Sequence, residues 1–195
     1  MQHQISHMTK EDRYPKIFST CSKITPKDNI KILSFGCSTG EEVFTLKNKY
    51  FKNSIIHGLD ISEKVINICN KKNNNKEISF FNHKNFNYLE KYDIIFCMSV
   101  LCRWEDTKYV DDCSKIYSFK EFNSQLIDLD KLLNLNGLLI IYNSNFCFSD
   151  SDLHNKYKVI KDSQITSSGF VKKFNKFNKS LNSEYNDCIF QKIKI

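Results

Sequence analysis

Residues 30–42 read IKILSFGCSTGEE, an apolar run that ends in a turn bounded by two glycines and followed by two acids. The run predicts a β-strand that stops at Gly36, and residues 41–50 predict a helix with acids in its first turn. Gly36 and Gly40 let the backbone approach a ligand without an intervening Cβ. We interpret this unit as the start of an α/β fold whose first turn binds a ligand, with a merely tight turn as the alternative.

The rest of the chain continues the alternation of strands and helices. Strands are predicted over 54–60, 77–82, 92–99 and 138–142, with weaker ones near 157–160, 169–174 and 187–195. Helices are predicted over 62–72 and 118–134, the second ended by Asn136-Gly137, and residues 102–117 read as a lid or insertion. Alternating elements predict a parallel sheet with right-handed crossovers, and such sheets bind ligands beyond the carboxyl ends of their strands.

Composition and charge restrict the class of protein. The chain has 195 residues, 41% of them hydrophobic, and 29 basic against 22 acidic residues give a net charge of +7. No apolar run approaches the ~18 residues of a membrane span, and the first residues lack the apolar core of a secretory signal. The eight cysteines lack CxxC pairs and zinc-like spacing, so we expect a reduced, cytoplasmic compartment. We predict a polar lead-in over residues 1–28 and a single domain over residues 29–195, with no metal site and no membrane partner.

The spacing of the first turn distinguishes between two classes of ligand. The dinucleotide fingerprint GxGxxG needs glycine where this chain has Ser38 and Glu41. Acids at the helix start also disfavour a pyrophosphate. S-adenosylmethionine (SAM), a sulfonium cation with an amino-acid head and no phosphate, suits this turn better.

Asp60 ends the second predicted strand, twenty-four positions after Gly36. A carboxylate at that place can accept hydrogen bonds from both hydroxyls of a ribose. The alternative is a structural role at the start of the next helix, which Ser62 can cap.

The first motif carries a family resemblance. Residues 33–42, LSFGCSTGEE, resemble the SAM-binding motif of class I methyltransferases, and most closely the variant found in CheR-type chemotaxis receptor methyltransferases. Further pieces follow in the same order: GLDI at 58–61, YDIIFC at 92–97, SVL at 99–101, LL at 132–133 and NGLL at 136–139. The resemblance covers about residues 30–145. It implies a Rossmann-like three-layer α/β sandwich with a mostly parallel seven-stranded sheet and an antiparallel C-terminal strand, and an enzyme that uses SAM and releases S-adenosylhomocysteine (SAH).

The resemblance also implies a set of cofactor contacts. The first turn would line the methionine moiety of SAM with Gly36, Cys37, Ser38 and Gly40. Glu42 would lie near the ammonium group, with a solvated helix-start acid as the alternative.

The remaining implied contacts lie after the next three strands. Asp60 would hold the ribose, Ile61 would pack on the adenine, and Asn85 would meet the adenine amine unless it is a plain loop residue. The transferable methyl group would be flanked by Ser99, Val100 and Leu101.

Residues at the same predicted edge of the sheet are candidates for binding the methyl acceptor. Arg103 can fork onto a carboxylate or phosphate and Trp104 can stack on the acceptor, unless the tryptophan anchors a lid. Tyr142 and Asn143 can hydrogen-bond the acceptor or simply form a strand-end turn. The sequence identifies no catalytic base, and Cys97 and Cys102 read as core or near-site thiols.

The class of methyl acceptor is restricted mainly by motifs that the sequence lacks. Exocyclic-amine methyltransferases of nucleic acids use a proline-containing loop after the fourth strand, and cytosine-C5 enzymes use a Pro-Cys nucleophile. The prolines here are Pro15 and Pro26, so both chemistries are excluded in their usual forms. We therefore favour a small-molecule or protein side-chain acceptor.

Three other functions remain as alternatives. A nucleic-acid methyltransferase is suggested by the net charge and by Lys172, Lys173, Lys176 and Lys179. A non-catalytic SAM-binding protein fits the lack of named catalytic residues, and an NAD-dependent oxidoreductase is the most distant alternative.

Overall fold

The computed structural model describes residues 9–25 and 27–195, which form alternating strands and helices as predicted. The first half contains α1 (Pro15–Ile24), β1 (Lys31–Phe35), α2 (Glu41–Thr45) running into a π-helical turn (Leu46–Tyr50), β2 (Ile55–Asp60), α3 (Glu63–Lys72) and β3 (Ile78–Asn82). The second half contains β4 (Tyr92–Met98), α4 (Trp104–Thr107), α5 (Phe119–Leu132), β5 (Leu133–Tyr142), β6 (Tyr157–Ile160), β7 (Lys173–Phe174), β8 (Ser180–Leu181) and β9 (Ile189–Lys192). Two short 3₁₀ turns, Phe148–Asp150 and His154–Lys156, precede β6.

Seven strands form the main sheet in the order β3-β2-β1-β4-β5-β9-β6. The pairs from β3 to β5 are parallel, whereas β9 runs antiparallel to both β5 and β6. This confirms the predicted fold class. The strand order reverses between β1 and β4, so the turns after these two strands diverge and leave a crevice at the carboxyl edge of the sheet.

Helices cover both faces of the sheet, because successive side chains of a strand point to opposite faces. Ile32 of β1 belongs to the core cluster that contains Phe18 of α1 and Val43 of α2. Its neighbour Leu33 belongs to a second cluster, which contains Leu126 of α5. The two clusters make a three-layer arrangement with the sheet in the middle.

The helix α5 is set by a capping box at its start and by sheet pairing at its end. Ser118 accepts a hydrogen bond from the Glu121 backbone N–H, and the Glu121 carboxylate accepts one from the Ser118 backbone N–H. The helix ends at Leu132, two residues earlier than predicted, and β5 begins at once. Leu133 pairs with Tyr92 and Leu138 pairs with Ile94, so residues 134–137 interrupt the ladder rather than end the helix.

Two other segments differ from the sequence-based expectations. The polar lead-in contains α1, which begins at Pro15 and buries Phe18 and Cys21 completely or nearly so. The segment 102–117, expected as a lid or insertion, buries Cys102, Cys113 and Tyr117. Both segments therefore pack onto the body of the domain.

The C-terminal region forms four short strands, β6 to β9, where the sequence predicts three weak ones. The weak strand expected over 169–174 is confined to β7, which pairs with β8 in a separate two-stranded sheet. Across the described residues, none of the helices combines the length and the apolar character needed to cross a membrane.

A core substitution tests the packing of α5 on the sheet. Leu126→Ala should lower the free energy of unfolding by about 2–5 kcal/mol, since the side chain is fully buried and its removal leaves a cavity. Leu135→Ala is the matched control, because Leu135 is 48% exposed and its truncation should change stability by about 0.5 kcal/mol or less. Urea unfolding measures both, and equal effects would contradict the assigned core.

Candidate functional site

A cavity of about 710 Å³ lies at the carboxyl edge of the sheet. Its wall is built from the N-terminal segment, the turns after β1, β2 and β4, the connection from β3 to β4, and one side of α5. This volume is in the range of small-molecule and cofactor sites. The cavity occupies the crevice that the reversal of strand order creates.

Most of the predicted cofactor residues lie in the wall of this cavity. They are Gly36, Cys37, Ser38, Glu42, Asp60, Ile61, Ser99 and Val100. Two lie elsewhere. Gly40 packs behind the first turn, where an added Cβ would lie 3.0–3.2 Å from Phe44, Phe80 and Cys69. Asn85 is exposed on the loop after β3, and its backbone N–H donates to Asn82.

The turn after β1 approaches the loop after β4 very closely. Gly36 has φ +76°, and its N–H donates to the Leu59 carbonyl over 2.8 Å. A Cβ at this position would lie 2.5 Å from Cγ2 of Val100. Both the left-handed backbone and this contact explain why glycine occupies position 36.

Asp60 is fixed by the backbone on either side of it. Its Oδ2 accepts a hydrogen bond from the Ser38 N–H at 3.0 Å, and its Oδ1 accepts one from the Ser62 N–H at 2.9 Å. Each carboxylate oxygen can accept a further hydrogen bond. The side chain thus combines the structural role expected at the start of α3 with a position in the cavity wall.

Glu42 reaches the cavity from the first turn of α2. The Ser34 hydroxyl, buried in β1, donates to its Oε1 over 2.8 Å. Burial raises the pKa of Glu42 to about 7, while the Ser34 hydrogen bond and the positive charge of Arg13 act in the opposite direction. A cation bound beside this carboxyl would favour its ionised form.

The N-terminal segment supplies part of the wall that sequence reasoning missed. Thr9, Lys10, Arg13 and Tyr14 line the cavity, and the Tyr14 hydroxyl lies 2.7 Å from the Ser99 Oγ. These residues precede the first strand by more than fifteen positions and match no motif. The sequence predicted only a lead-in here, and the position of α1 depends on tertiary packing.

Another part of the cavity wall is lined by His83 and Tyr88 from the β3–β4 connection and by Gln125, Asp128 and Lys131 from α5. The three α5 residues were not predicted from the sequence. Polar residues on a solvent-facing helix side carry no signal that distinguishes a cavity wall from an ordinary surface.

The predicted acceptor residues lie outside the residues that line the cavity. Trp104 packs edge-on against Phe170, with ring centroids 5.7 Å apart, and Arg103 Nη1 lies 3.7 Å from Asp106 Oδ2. The Tyr142 hydroxyl donates to the Thr166 carbonyl. Asn143 is one step behind the wall, since its Nδ2 donates to Ser99 Oγ over 2.8 Å. Contact of these residues with the acceptor stays a prediction.

The thiols of Cys97 and Cys102 are packed in the core, and the C-terminal lysines are largely ion-paired or buried. Burial raises the pKa of Cys97 well above 9.0 and that of Cys102 to about 12, so both thiols stay protonated in the core. In the C-terminal lysine cluster, Lys172 pairs with Asp111 at 3.1 Å and Lys179 pairs with Asp112 at 2.8 Å. Lys173 is buried and donates to the Ser144 carbonyl, so the cluster is not a continuous free basic stripe.

Comparison with known families identifies the domain. Residues 26–192 match the family model described as a methyltransferase domain. The chain belongs to this family. The match confirms the predicted enzyme class and spans all seven strands of the main sheet in this methyltransferase domain.

Solved structures of methyltransferases resemble the domain at low identity. The plantazolicin methyltransferase BpumL, in complex with SAH, is 23% identical with a TM-score of 0.46 over 64% of this chain and 43% of its own. Coclaurine N-methyltransferase, bound to N-methylheliamine and SAH, is 16% identical with a TM-score of 0.48 over 68% of this chain and 38% of its own. CalS10, an amino pentose methyltransferase from Micromonospora echinaspora bound to SAM, is 14% identical with a TM-score of 0.48 over 68% of this chain and 50% of its own.

The extent of these matches is limited. The match to this methyltransferase domain spans half or less of the length of each of the three structures. No curated protein matches the sequence. The fold of the domain is therefore identified from its own strand order.

The protonation of Glu42 gives a test of the site. Its carboxyl has a pKa of about 7 in the folded protein against an ordinary value of 4.5. As pH rises through this window the unfolded chain loses its proton first, so folding stability falls. Glu42→Gln removes this penalty and should be more stable than the wild type at pH 8 by about 1–3 kcal/mol, with a smaller difference at pH 5. Urea unfolding at the two pH values measures the effect.

Glu41→Gln is the control for this experiment. Burial tends to raise the pKa of Glu41, but hydrogen bonds from Thr39 and its own backbone, with the Lys72 charge, lower it overall. Its ionised form therefore stabilises the fold above pH 4.5, and Glu41→Gln should be less stable than the wild type at both pH 5 and pH 8. The same sign for both variants at pH 8 would contradict the assigned environment of Glu42.

Proposed function

We propose that this methyltransferase domain binds SAM in the 710 Å³ cavity and transfers its methyl group to a small-molecule or protein side-chain acceptor. The observation that carries the proposal is the position of Asp60. Its carboxylate lies in the cavity wall at the end of β2, held by two backbone N–H groups, with capacity for two more hydrogen bonds. That is the arrangement needed to receive the two hydroxyls of a ribose.

The surrounding residues fit the other parts of SAM. Ile61, 41% exposed at the cavity, offers an apolar surface for the adenine. The turn from Gly36 to Ser38 would face the methionine moiety, and Glu42 would pair with the ammonium group. Because the pKa of Glu42 is raised by burial, pairing with this cation would pull its proton off near neutral pH.

The chemistry required of the protein is modest. SAM, when bound, supplies a methyl group already activated on a sulfonium. The residues of the chain have to bind, orient and exclude water, and alignment alone can contribute roughly 7–11 kcal/mol. The mechanism proposed here therefore assigns no covalent intermediate and no general base.

The finer assignments extend this proposal. We place the catalytic domain over residues 29–195, with the polar lead-in contributing α1 and part of the cavity wall. The first motif supports a CheR-like binding loop for the cofactor. Eight cysteines that are all free and buried support a reducing compartment such as the cytoplasm.

A nucleic-acid acceptor is the less favoured alternative. It rests on the net charge of +7, but Lys172 and Lys179 are paired with aspartates and Lys173 is buried. A basic surface that captures phosphates needs unpaired charges, and its binding falls steeply with salt.

Calorimetry with SAM and SAH tests the proposed cofactor site. The wild type should bind both ligands, and Asp60→Ala should weaken each at least tenfold, or ~1.4 kcal/mol, because both ribose hydrogen bonds are lost. Asp60→Asn keeps one acceptor oxygen and should lie between the two.

Asp93→Ala is the matched control for this measurement. The Asp93 carboxylate accepts a hydrogen bond from the Lys31 backbone N–H at 2.9 Å and another from the Asn134 Nδ2 at 3.0 Å. Unlike Asp60, Asp93 lies at the start of its strand, β4. Asp93→Ala should lower the stability of the fold. Its SAH affinity should stay within about twofold of the wild-type value, a change smaller than the effect of one hydrogen bond. Unchanged SAH affinity in Asp60→Ala would remove the ribose assignment, and no binding by the wild type would overturn the function.

A further inference from the structure

Four side chains from separate parts of the chain meet at the cavity wall. The Tyr14 hydroxyl lies 2.7 Å from Ser99 Oγ, and the Asn143 Nδ2 lies 2.8 Å from Ser99 Oγ and 3.4 Å from the Tyr14 hydroxyl. Behind them, the Ser168 hydroxyl donates to Asn143 Oδ1. Tyr14 and Ser99 line the cavity, whereas Asn143 and Ser168 support them.

The backbone is strained at two of these positions. Ser99 and Asn143 have φ values of +58° and +57°, directly after the neighbouring strands β4 and β5. A left-handed conformation is unfavourable for a residue with a side chain, and less so for asparagine than for serine. Strain of this kind persists only where the surroundings enforce it. Here it directs both side chains toward the Tyr14 hydroxyl.

The Tyr14 and Ser99 hydroxyls have hydrogen-bonding capacity left for a molecule in the cavity. Asn143 Oδ1 is the acceptor from Ser168, so its Nδ2 is the donor to Ser99. Tyr14 and Ser99 have two hydroxyl protons and use one in the bond between them. Among the described residues, the pair therefore retains one proton and at least one lone pair for a molecule in the cavity.

The protonation state of Tyr14 determines the chemistry of this pair. Burial raises the pKa of Tyr14 above 10.0, and nearby Glu42 adds to the rise, while the bonds to Ser99 and Asn143 and the charge of Arg13 oppose it. The phenol is therefore neutral at physiological pH. The pair can give and accept hydrogen bonds, but it does not act as an anionic base.

We propose that the Tyr14–Ser99 pair binds the methyl acceptor, accepting a hydrogen bond from the N–H or O–H of its nucleophilic atom. This fixes the lone pair of that atom in line with the methyl group. The new bond to carbon forms as the S–C bond breaks, the electron pair stays on sulfur to give SAH, and the displaced proton passes to solvent. The inference rests on the proposed function and names Tyr14 and Ser99 as residues that select acceptors with a hydrogen on the nucleophile.

Sinefungin is a probe for this arrangement that needs no known acceptor. In this analogue an amine-bearing carbon replaces the methylated sulfur, so an amino group takes the place of the methyl group and its N–H groups can donate toward the acceptor position. The proposal predicts that Tyr14→Phe weakens sinefungin about fivefold or more, the effect of one hydrogen bond, while SAH changes less than about twofold. Ser99→Ala should show the same selectivity.

Tyr50→Phe controls for loosening of the N-terminal segment. The Tyr50 hydroxyl donates to Asp12 Oδ1 over 2.9 Å, and its ring packs against Phe18, so this variant also removes a tyrosine hydroxyl that holds the same segment. It should leave both affinities unchanged within about twofold, below the effect of a hydrogen bond.

The outcomes separate the inference from the proposed function. Equal weakening of both ligands by Tyr14→Phe, or no weakening of sinefungin by either variant, would overturn the role of the pair while the cofactor site stands. If the wild type binds neither SAH nor sinefungin, the proposed function fails and the inference fails with it.

Discussion

The close approach of two turns at the carboxyl edge of the sheet forms one boundary of the cavity. The turn after β1 passes so near the loop after β4 that a Cβ at position 36 would lie 2.5 Å from Val100. The two turns can approach this closely because position 36 is a glycine, which has no Cβ. Gly36 adopts φ +76°, and its N–H donates to the Leu59 carbonyl. The cavity opens beside this contact, with Asp60 held at its edge by the Ser38 and Ser62 N–H groups.

The cavity joins groups of opposite charge within a partly apolar space. Glu42 and Asp60 face the turn after β1, while Lys10 and Arg13 approach from the N-terminal segment. Burial raises the pKa of Glu42 to about 7, so near neutral pH this carboxyl carries less than a full negative charge. Under the proposed function, the cation and the anion of the ligand would each lie near side chains of opposite charge.

The N-terminal helix converts an open crevice into a bounded site. Burial of Phe18 and Cys21 anchors α1 on the sheet, and this anchoring positions Tyr14 against Ser99. Asn143 and Ser168 then fix the geometry of the two hydroxyls from behind. The hydrophobic contacts of one helix and the strained ends of two strands thus position the same pair of polar groups.

Local sequence patterns were enough to predict a mostly parallel sheet, the positions of its first five strands along the chain and the turn that begins at Gly36. Apolar runs, capping residues and glycine spacing act over a few neighbouring positions, so they are readable without long-range information. The position of Asp60 followed as well, because parallel strands bring their carboxyl ends to one edge. Folding decided the rest. Contacts between residues far apart in the chain place Tyr14, Arg13 and Asp128 in one cavity wall and keep Trp104 and Asn143 out of it. Such contacts also raise the pKa of Glu42. No local pattern encodes them.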